Sequence, residues 1–196
     1  PEQITRAFLL TDEQSRSLDI VTSGATAVCA LLKSEESGRV LYVANVGDSR
    51  AVLCSRNGLE DTNSPNTLNY RAQRLSYDHR AEDEEEQKRI KASGGFITRS
   101  RVLGILAVSR SFGDHGMKDF VISEPYVTTT HLGKSEECPF LILACDGLWD
   151  VMTDQEAIEM VLELGPEKNE EAAKILVTQS ISRGSADNIT AIVVFL

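Results

Sequence analysis

Seven consecutive apolar residues, 139–145 (PFLILAC), stop abruptly on Asp146-Gly147. A run that short and continuous reads as a strand rather than a helix, and a carboxylate at its end is seldom there for turn chemistry alone. Other segments repeat the strand signal. Residues 26–32 are apolar and partly β-branched, which predicts a buried strand. Residues 40–46 (VLYVANV) and 50–54 (RAVLC) flank Gly47-Asp48-Ser49, which predicts a β-hairpin. Residues 183–188 (RGSADN) turn the chain into a last strand, 189–196.

Helical patterns form separate blocks. Residues 3–14 predict an amphipathic helix with Ile4, Phe8 and Leu9 on one face. Residues 81–92 load acids (Glu82 to Glu86) at the start and bases (Lys88, Arg89, Lys91) at the end, with Gly94-Gly95 as the stop; the charge run reads as a solvated face. Thr153-Asp154-Gln155-Glu156 is a capping box for a helix to about Leu164. After Gly165-Pro166, residues 169–182 predict a helix with Ala172, Ile175, Leu176 and Ile181 inward. Strands in hairpins and helices in blocks predict an α+β class with antiparallel sheets. Residues 55–70, rich in Asn, Ser and Thr, read as a long loop.

The 196 residues fit one domain, taken as 1–196, and carry a net charge of −10. That balance argues against nucleic acid or an anionic membrane as the main partner and suits divalent cations. No stretch approaches the uninterrupted apolar length of a membrane-spanning helix. Cys29, Cys54, Cys138 and Cys145 form no C-x-x-C pair, and His79, His115 and His131 are scattered, so no zinc cluster can be drawn. Cys29 and Cys145 lie in apolar runs, as buried thiols do. A reducing location follows, cytoplasmic with the nucleus as the alternative. The start at Pro1, without Met, reads as a boundary inside a longer polypeptide.

Three aspartates share a setting. Asp48 lies in a turn, Asp146 ends an apolar strand, and Asp187 precedes the last strand, each beside Gly or a small residue. If those strand ends converge, the carboxylates repel unless cations lie between them. Oxygen-only ligands suit Mg²⁺ or Mn²⁺, and two such ions make a hydrolytic centre for phosphate esters. Taken singly, each aspartate also fits a turn or cap role.

Seven ordered segments carry more. They are residues 23–27 (SGATA), 42–51 (YVANVGDSRA), 75–80 (LSYDHR), the helix with Arg89-Ile90 to Gly94-Gly95, 106–114 (LAVSRSFGD), 143–150 (LACDGLWD) and 183–190 (RGSADNIT). Together they resemble the metal-dependent Ser/Thr protein phosphatases of type 2C, the PPM family. The resemblance implies a sandwich of two antiparallel sheets flanked by helices, with a binuclear Mn²⁺/Mg²⁺ centre at one edge. It implies Asp146 and Asp187 as ligands of the two ions, Asp48 at a third and weaker ion, and Asn188 and Gly147 in support. The implied reaction is attack on phosphoserine or phosphothreonine by a metal-bridging hydroxide, without a phosphoenzyme, in a monomer acting on phosphoproteins. Substrate selection is expected from surface loops such as 55–70 and 96–104.

The family's remaining essentials, a D-G-H-G segment, the general acid and an Arg that grips phosphate, are expected upstream of Pro1, so no catalytic residue is assigned within this chain. Asp114-His115-Gly116 follows S-R-S-F-G and belongs to another segment, so His115 reads as an exposed turn histidine. The alternative is a non-catalytic pseudophosphatase serving as a binding module. Retention of Asp48, Asp146, Asp187 and Asn188 favours the enzyme over it.

Overall fold

The computed structural model describes residues 1–18, 21–36, 38–56, 70–133 and 138–196. The centre of the loop expected at 55–70 lies outside them. The chain divides into two compact units, residues 1–29, 43–49 and 76–128 in one, and 30–42, 50–75 and 129–196 in the other. The class is α+β, and the registers throughout its four-stranded sheet are antiparallel. No helix among the described residues is long and apolar enough to cross a membrane.

The first unit opens with helix α1 (Glu2–Arg16). Its inward positions match the prediction at Phe8 and at the half-buried Ile4, but not at Leu9. Phe8 is buried and its ring lies 5.1 Å from that of Phe112, but Leu9 is exposed and Asp12 is buried instead. Asp12 accepts from the Gly113 backbone N–H at 2.7 Å and from Lys118 Nζ at 3.0 Å. That pairing makes a carboxylate acceptable on the inner face, three and four residues from apolar neighbours.

Short strands β1 (Gly24–Ala25) and, later, β8 (Phe112–Gly113) pair antiparallel. Between them in sequence come β2 (Ala27–Glu35), β3 (Gly38–Val46), β4 (Arg50–Arg56) and β5 (Tyr70–Arg74). Then follow helix α2 (Glu84–Ala92) and the small hairpin of β6 (Ile97–Thr98) and β7 (Arg101–Val102). A small core of Ala81, Ile90, Val102 and Val121 closes under α2 and that hairpin.

Helix α2 starts later than its charge run. Asp83 is the N-cap, its Oδ1 accepting from the backbone N–H of Glu85 and Glu86. Nor is the run wholly solvated, because Glu86 is 2% exposed. It accepts from Arg110 at 2.6 Å, Arg89 at 2.9 Å and Ser109 Oγ at 2.6 Å. Burial alone would raise its pKa, but these donors outweigh it and hold the carboxyl at about 2.

The second unit is organised on a four-stranded sheet in the order β11-β10-β4-β5, where β10 is Phe140–Ala144 and β11 is Ala191–Phe195. All five residues of β10 are buried, as a central strand with no polar face requires. On it pack helix α4 (Asp154–Leu164), through Ala157, Ile158 and Val161, and helix α5 (Ala172–Ser182), through Ala172 and Leu176. The capping box at Thr153 and Glu156 forms as predicted. In α5 Ser180 takes the inward place expected of Ile181, which is exposed; Ala172, Leu176 and Ser180 are four apart, and the Ser180 hydroxyl donates to the Leu176 carbonyl at 2.9 Å. Asp154 joins Arg74 at 2.7 Å and also pairs with Arg50, whose guanidinium lies over the Trp149 ring.

Two strand expectations are corrected. β3 and β4 do not form a hairpin, since β3 belongs to a three-stranded sheet, β2-β3-β9 with β9 at Tyr126–Leu132, and β4 to the four-stranded one. Gly47-Asp48-Ser49 passes the chain from one sheet to another. β2 forms but is not buried, because it is an edge strand and Cys29 to Leu32 are exposed. The thiols differ likewise from expectation. Cys29 is exposed and Cys145 half-buried, while Cys54 and Cys138 are buried, and burial pushes the Cys54 thiol up to about 12.

Candidate metal centre

Asp146 is delivered by β10 as the first residue of a single helical turn, α3 (Asp146–Trp149). The turn is pinned by the Trp149 indole N–H, which donates to the Ala144 carbonyl at 2.9 Å. The segment before β11 is laced alongside it. The Cys145 backbone N–H donates to the Thr190 carbonyl at 3.2 Å, and the Cys145 thiol donates to the Asn188 carbonyl and accepts from the Thr190 N–H, each at 3.2 Å. Ser185 Oγ donates to the Gly147 carbonyl at 2.6 Å. Gly147 has to be glycine, because a Cβ there would stand 2.3 Å from the Asn188 carbonyl oxygen.

This lacing sets Asp146 and Asp187 on adjoining segments of one unit. Asp187 is exposed, and its Oδ1 accepts from the Asn188 backbone N–H at 2.7 Å. Asn188 thus steadies Asp187 through its main chain. The half-buried Asp146 carboxylate takes no hydrogen bond or ion pair from the described residues.

Asp48 lies in the other unit, 7% exposed, with Arg80 Nε 3.5 Å from its Oδ2. The turn that carries it is clamped from one side by residues 77–80. The Gly47 carbonyl accepts from the His79 backbone N–H at 3.0 Å and from Asn45 Nδ2 at 3.1 Å, with His79 Nδ1 3.2 Å away. The Asn45 amide also donates to the Tyr77 carbonyl at 2.6 Å and accepts from the Tyr77 N–H at 3.1 Å. Gly47 itself sits at φ +85°, where a Cβ would meet Thr26 Cγ2 at 2.3 Å. Burial, helped by the Arg110 charge, lowers the His79 pKa to about 4, so the ring is neutral at pH 7 and its Nδ1–H can serve the Gly47 carbonyl. Asn45 and His79 stand inside motifs legible in the sequence, but the role of each is visible only in the fold.

His115 is not the exposed histidine expected. It is half-buried, with Nε2 2.9 Å from Ser15 Oγ on α1. Among the described residues, no group of three or more His, Cys, Asp or Glu side chains is drawn together as a ready metal cage. The donor set still suits a hard divalent cation. It consists of carboxylate oxygens, with one carboxylate unspent and one held only by its neighbour's backbone, on two segments that approach so closely that a Cβ at Gly147 would meet the Asn188 carbonyl.

The model of the protein phosphatase 2C family matches residues 1–189. This chain belongs to the protein phosphatase 2C family. The protein phosphatase 2C homolog 1 of Saccharomyces cerevisiae is 42% identical over 97% of the chain, which spans 66% of that relative. The protein of the same name from Schizosaccharomyces pombe is 42% identical over 88% of the chain, which spans 46% of it. Among solved structures, a Caenorhabditis elegans sex-determining protein superposes with a TM-score of 0.81 at 26% identity, covering 98% of this chain and 46% of that one. A serine-threonine phosphatase 2C from Toxoplasma gondii shares the fold with a TM-score of 0.72 at 24% identity, covering 93% of this chain and 61% of its own. The chain thus spans 46–66% of the length of these protein phosphatase 2C relatives.

Proposed function

We propose that this chain works in a metal-dependent protein serine/threonine phosphatase, as part of a single catalytic domain of a monomeric protein of the cytoplasm or nucleus. Asp146 and Asp187 would hold two Mn²⁺ or Mg²⁺ ions, and Asp48 a third. The observation that carries the reading is the unspent Asp146 carboxylate on a turn laced to the Asp187 segment, in a chain of the protein phosphatase 2C family. When bound, such ions lower the pKa of water and neutralise charge on a phosphoryl group.

The chain's own residues do the positioning. The Gly147–Asn188 contact and the Ser185 bond to the Gly147 carbonyl keep the Asp146 and Asp187 backbones in register. The Asn188 N–H leaves the second Asp187 oxygen free for a cation. Asn45 and His79 fix the Asp48 turn, and Arg80 offsets the Asp48 charge when no cation does.

The test is Mn²⁺ binding to the full-length protein, read by calorimetry and by the loss of the free Mn²⁺ electron-spin signal. Asp146→Asn is expected to remove tight binding. Asp48→Ala is expected to remove only a weaker phase while slowing hydrolysis. Tight binding unchanged in Asp146→Asn would overturn the ligand assignment.

A further inference from the structure

The chain as a whole is strongly acidic, yet residues 87–113 contain six of its 20 basic residues and none of its 30 acidic ones. Most of these bases are already engaged. Arg89 and Arg110 hold the buried Glu86, Lys88 pairs with Glu85, and Lys91 reaches Gln87. Arg99 has no partner among the described residues, and Arg101 spends one N–H on the Ile105 carbonyl at 2.7 Å. Both are exposed, at and beside the tip of the β6–β7 hairpin.

Two large apolar side chains flank them in the open. Phe96 is 56% exposed and Ile105 is 60% exposed. The Arg101 bond to the Ile105 carbonyl sets the guanidinium beside that residue, and the Leu103 N–H donates to the Phe96 carbonyl at 2.9 Å, extending the ladder to Phe96. The hairpin is also anchored on the core. Ile97 and Val102 face each other across it and pack on the core with Ala81, Ile90 and Val121, so Thr98 and Arg101 face outward.

The tip is made of residues ill suited to it. Arg99 and Ser100 take φ of 51° and 57°, the pair of left-handed residues that a two-residue hairpin turn needs and that Asn-Gly usually supplies. The turn therefore holds a guanidinium at a strained position that a smaller residue would occupy more easily.

We propose that this hairpin is a docking surface for an acidic segment of a protein partner, with Arg99 and Arg101 receiving its carboxylates and Phe96 and Ile105 its apolar side chain. The charge contrast argues for the occupant. A basic spot on a protein of net −10 gathers acidic chains locally while the rest of the surface repels them, which confines binding to that spot. Bidentate guanidinium–carboxylate pairs beside exposed apolar groups make a small preorganised site. That the docked segment belongs to the substrate rests on the phosphatase reading; the docking itself does not.

The test uses the full-length protein and a fluorescein-labelled peptide of Glu and Asp residues around one Leu, read by fluorescence anisotropy. Its counterpart carries Gln and Asn in place of the acids. Arg99→Asn with Arg101→Gln keeps residues that tolerate the turn and is expected to weaken binding about tenfold. Binding to the native protein is expected to weaken as salt rises. Phe96→Ser with Ile105→Ser, which leaves both charges, is expected to weaken it as well. Equal binding of the neutral peptide, or unchanged affinity in the Arg99/Arg101 variant, overturns the proposal. Hydrolysis of p-nitrophenyl phosphate, which is too small to reach a docking site, separates the two readings. If it proceeds while the variant binds peptide as the native protein does, the docking fails and the phosphatase stands. If it is absent while the variant loses the peptide, the docking stands and the phosphatase fails.

Discussion

Gly147 and Gly47 show how much of the site depends on single atoms. At Gly147 an added Cβ would lie 2.3 Å from the Asn188 carbonyl, so the Asp146 and Asp187 segments could not keep their spacing. Gly147→Ala is expected to lower stability by about 1–3 kcal/mol, as overpacking does, and to weaken Mn²⁺ binding; urea unfolding and Mn²⁺ titration read the two effects separately. Asn45 is buried and makes bonds that tie residues 45–47 to Tyr77. Asn45→Ala leaves the Tyr77 and Gly47 groups short of partners and is expected to cost about 1–3 kcal/mol in urea unfolding. Asp48, Asp146 and Asp187 stand out in the sequence as candidates, each beside Gly or a small residue, but each alone also fits a turn or cap, and only the family resemblance assigns them to cations. The clamp on Asp48 was not readable, since Asn45 and Tyr77 are distant in sequence and nothing local joins them.

At the scale of elements, local patterns located most helices and strands and failed where long-range partners decide. Gly47-Asp48-Ser49 has the chemistry of a hairpin turn, and the same chemistry serves a chain that changes sheets, so only the partners of β3 and β4 distinguish the two. Glu86 looked like one more solvated acid in α2, but Arg110, far along the chain, draws it inside. Helix periodicity marked Leu9 and Ile181 as inward, while Asp12 and Ser180 take those places through hydrogen bonds. By contrast the α4 cap is wholly local and was legible. Thr153→Ala removes the acceptor of the Glu156 N–H and is expected to destabilise by about 1 kcal/mol, read as a shift in the urea midpoint.

For the whole molecule, two buried groups shape how it meets acid, alongside the carboxyls of Asp154 and Glu156, which their Arg and Thr partners also hold below the usual range. His79 has a folded pKa near 4 against an ordinary 6.5, so the unfolded chain binds its proton first and stability falls as pH drops through that window. Glu86 has a folded pKa near 2 against an ordinary 4.5, so its contribution is complete above 4.5 and is lost as pH falls from there towards 2. Urea unfolding from pH 7 downward is expected to show a decline that begins below 6.5 and steepens below 4.5. Glu86→Gln is expected to flatten the lower part and, because the Glu86 charge holds the His79 pKa up, to carry the His79 decline to lower pH.

The measurement that bears most directly on the account is phosphate release from a phosphothreonine peptide by the full-length protein, with Mn²⁺ and with the metal chelated, for the native sequence and for Asp146→Asn. Turnover that needs Mn²⁺ and disappears in the variant, with circular dichroism unchanged, is the outcome expected of the phosphatase assignment. Turnover by Asp146→Asn at the native rate, or no turnover by the native protein loaded with Mn²⁺, would contradict it.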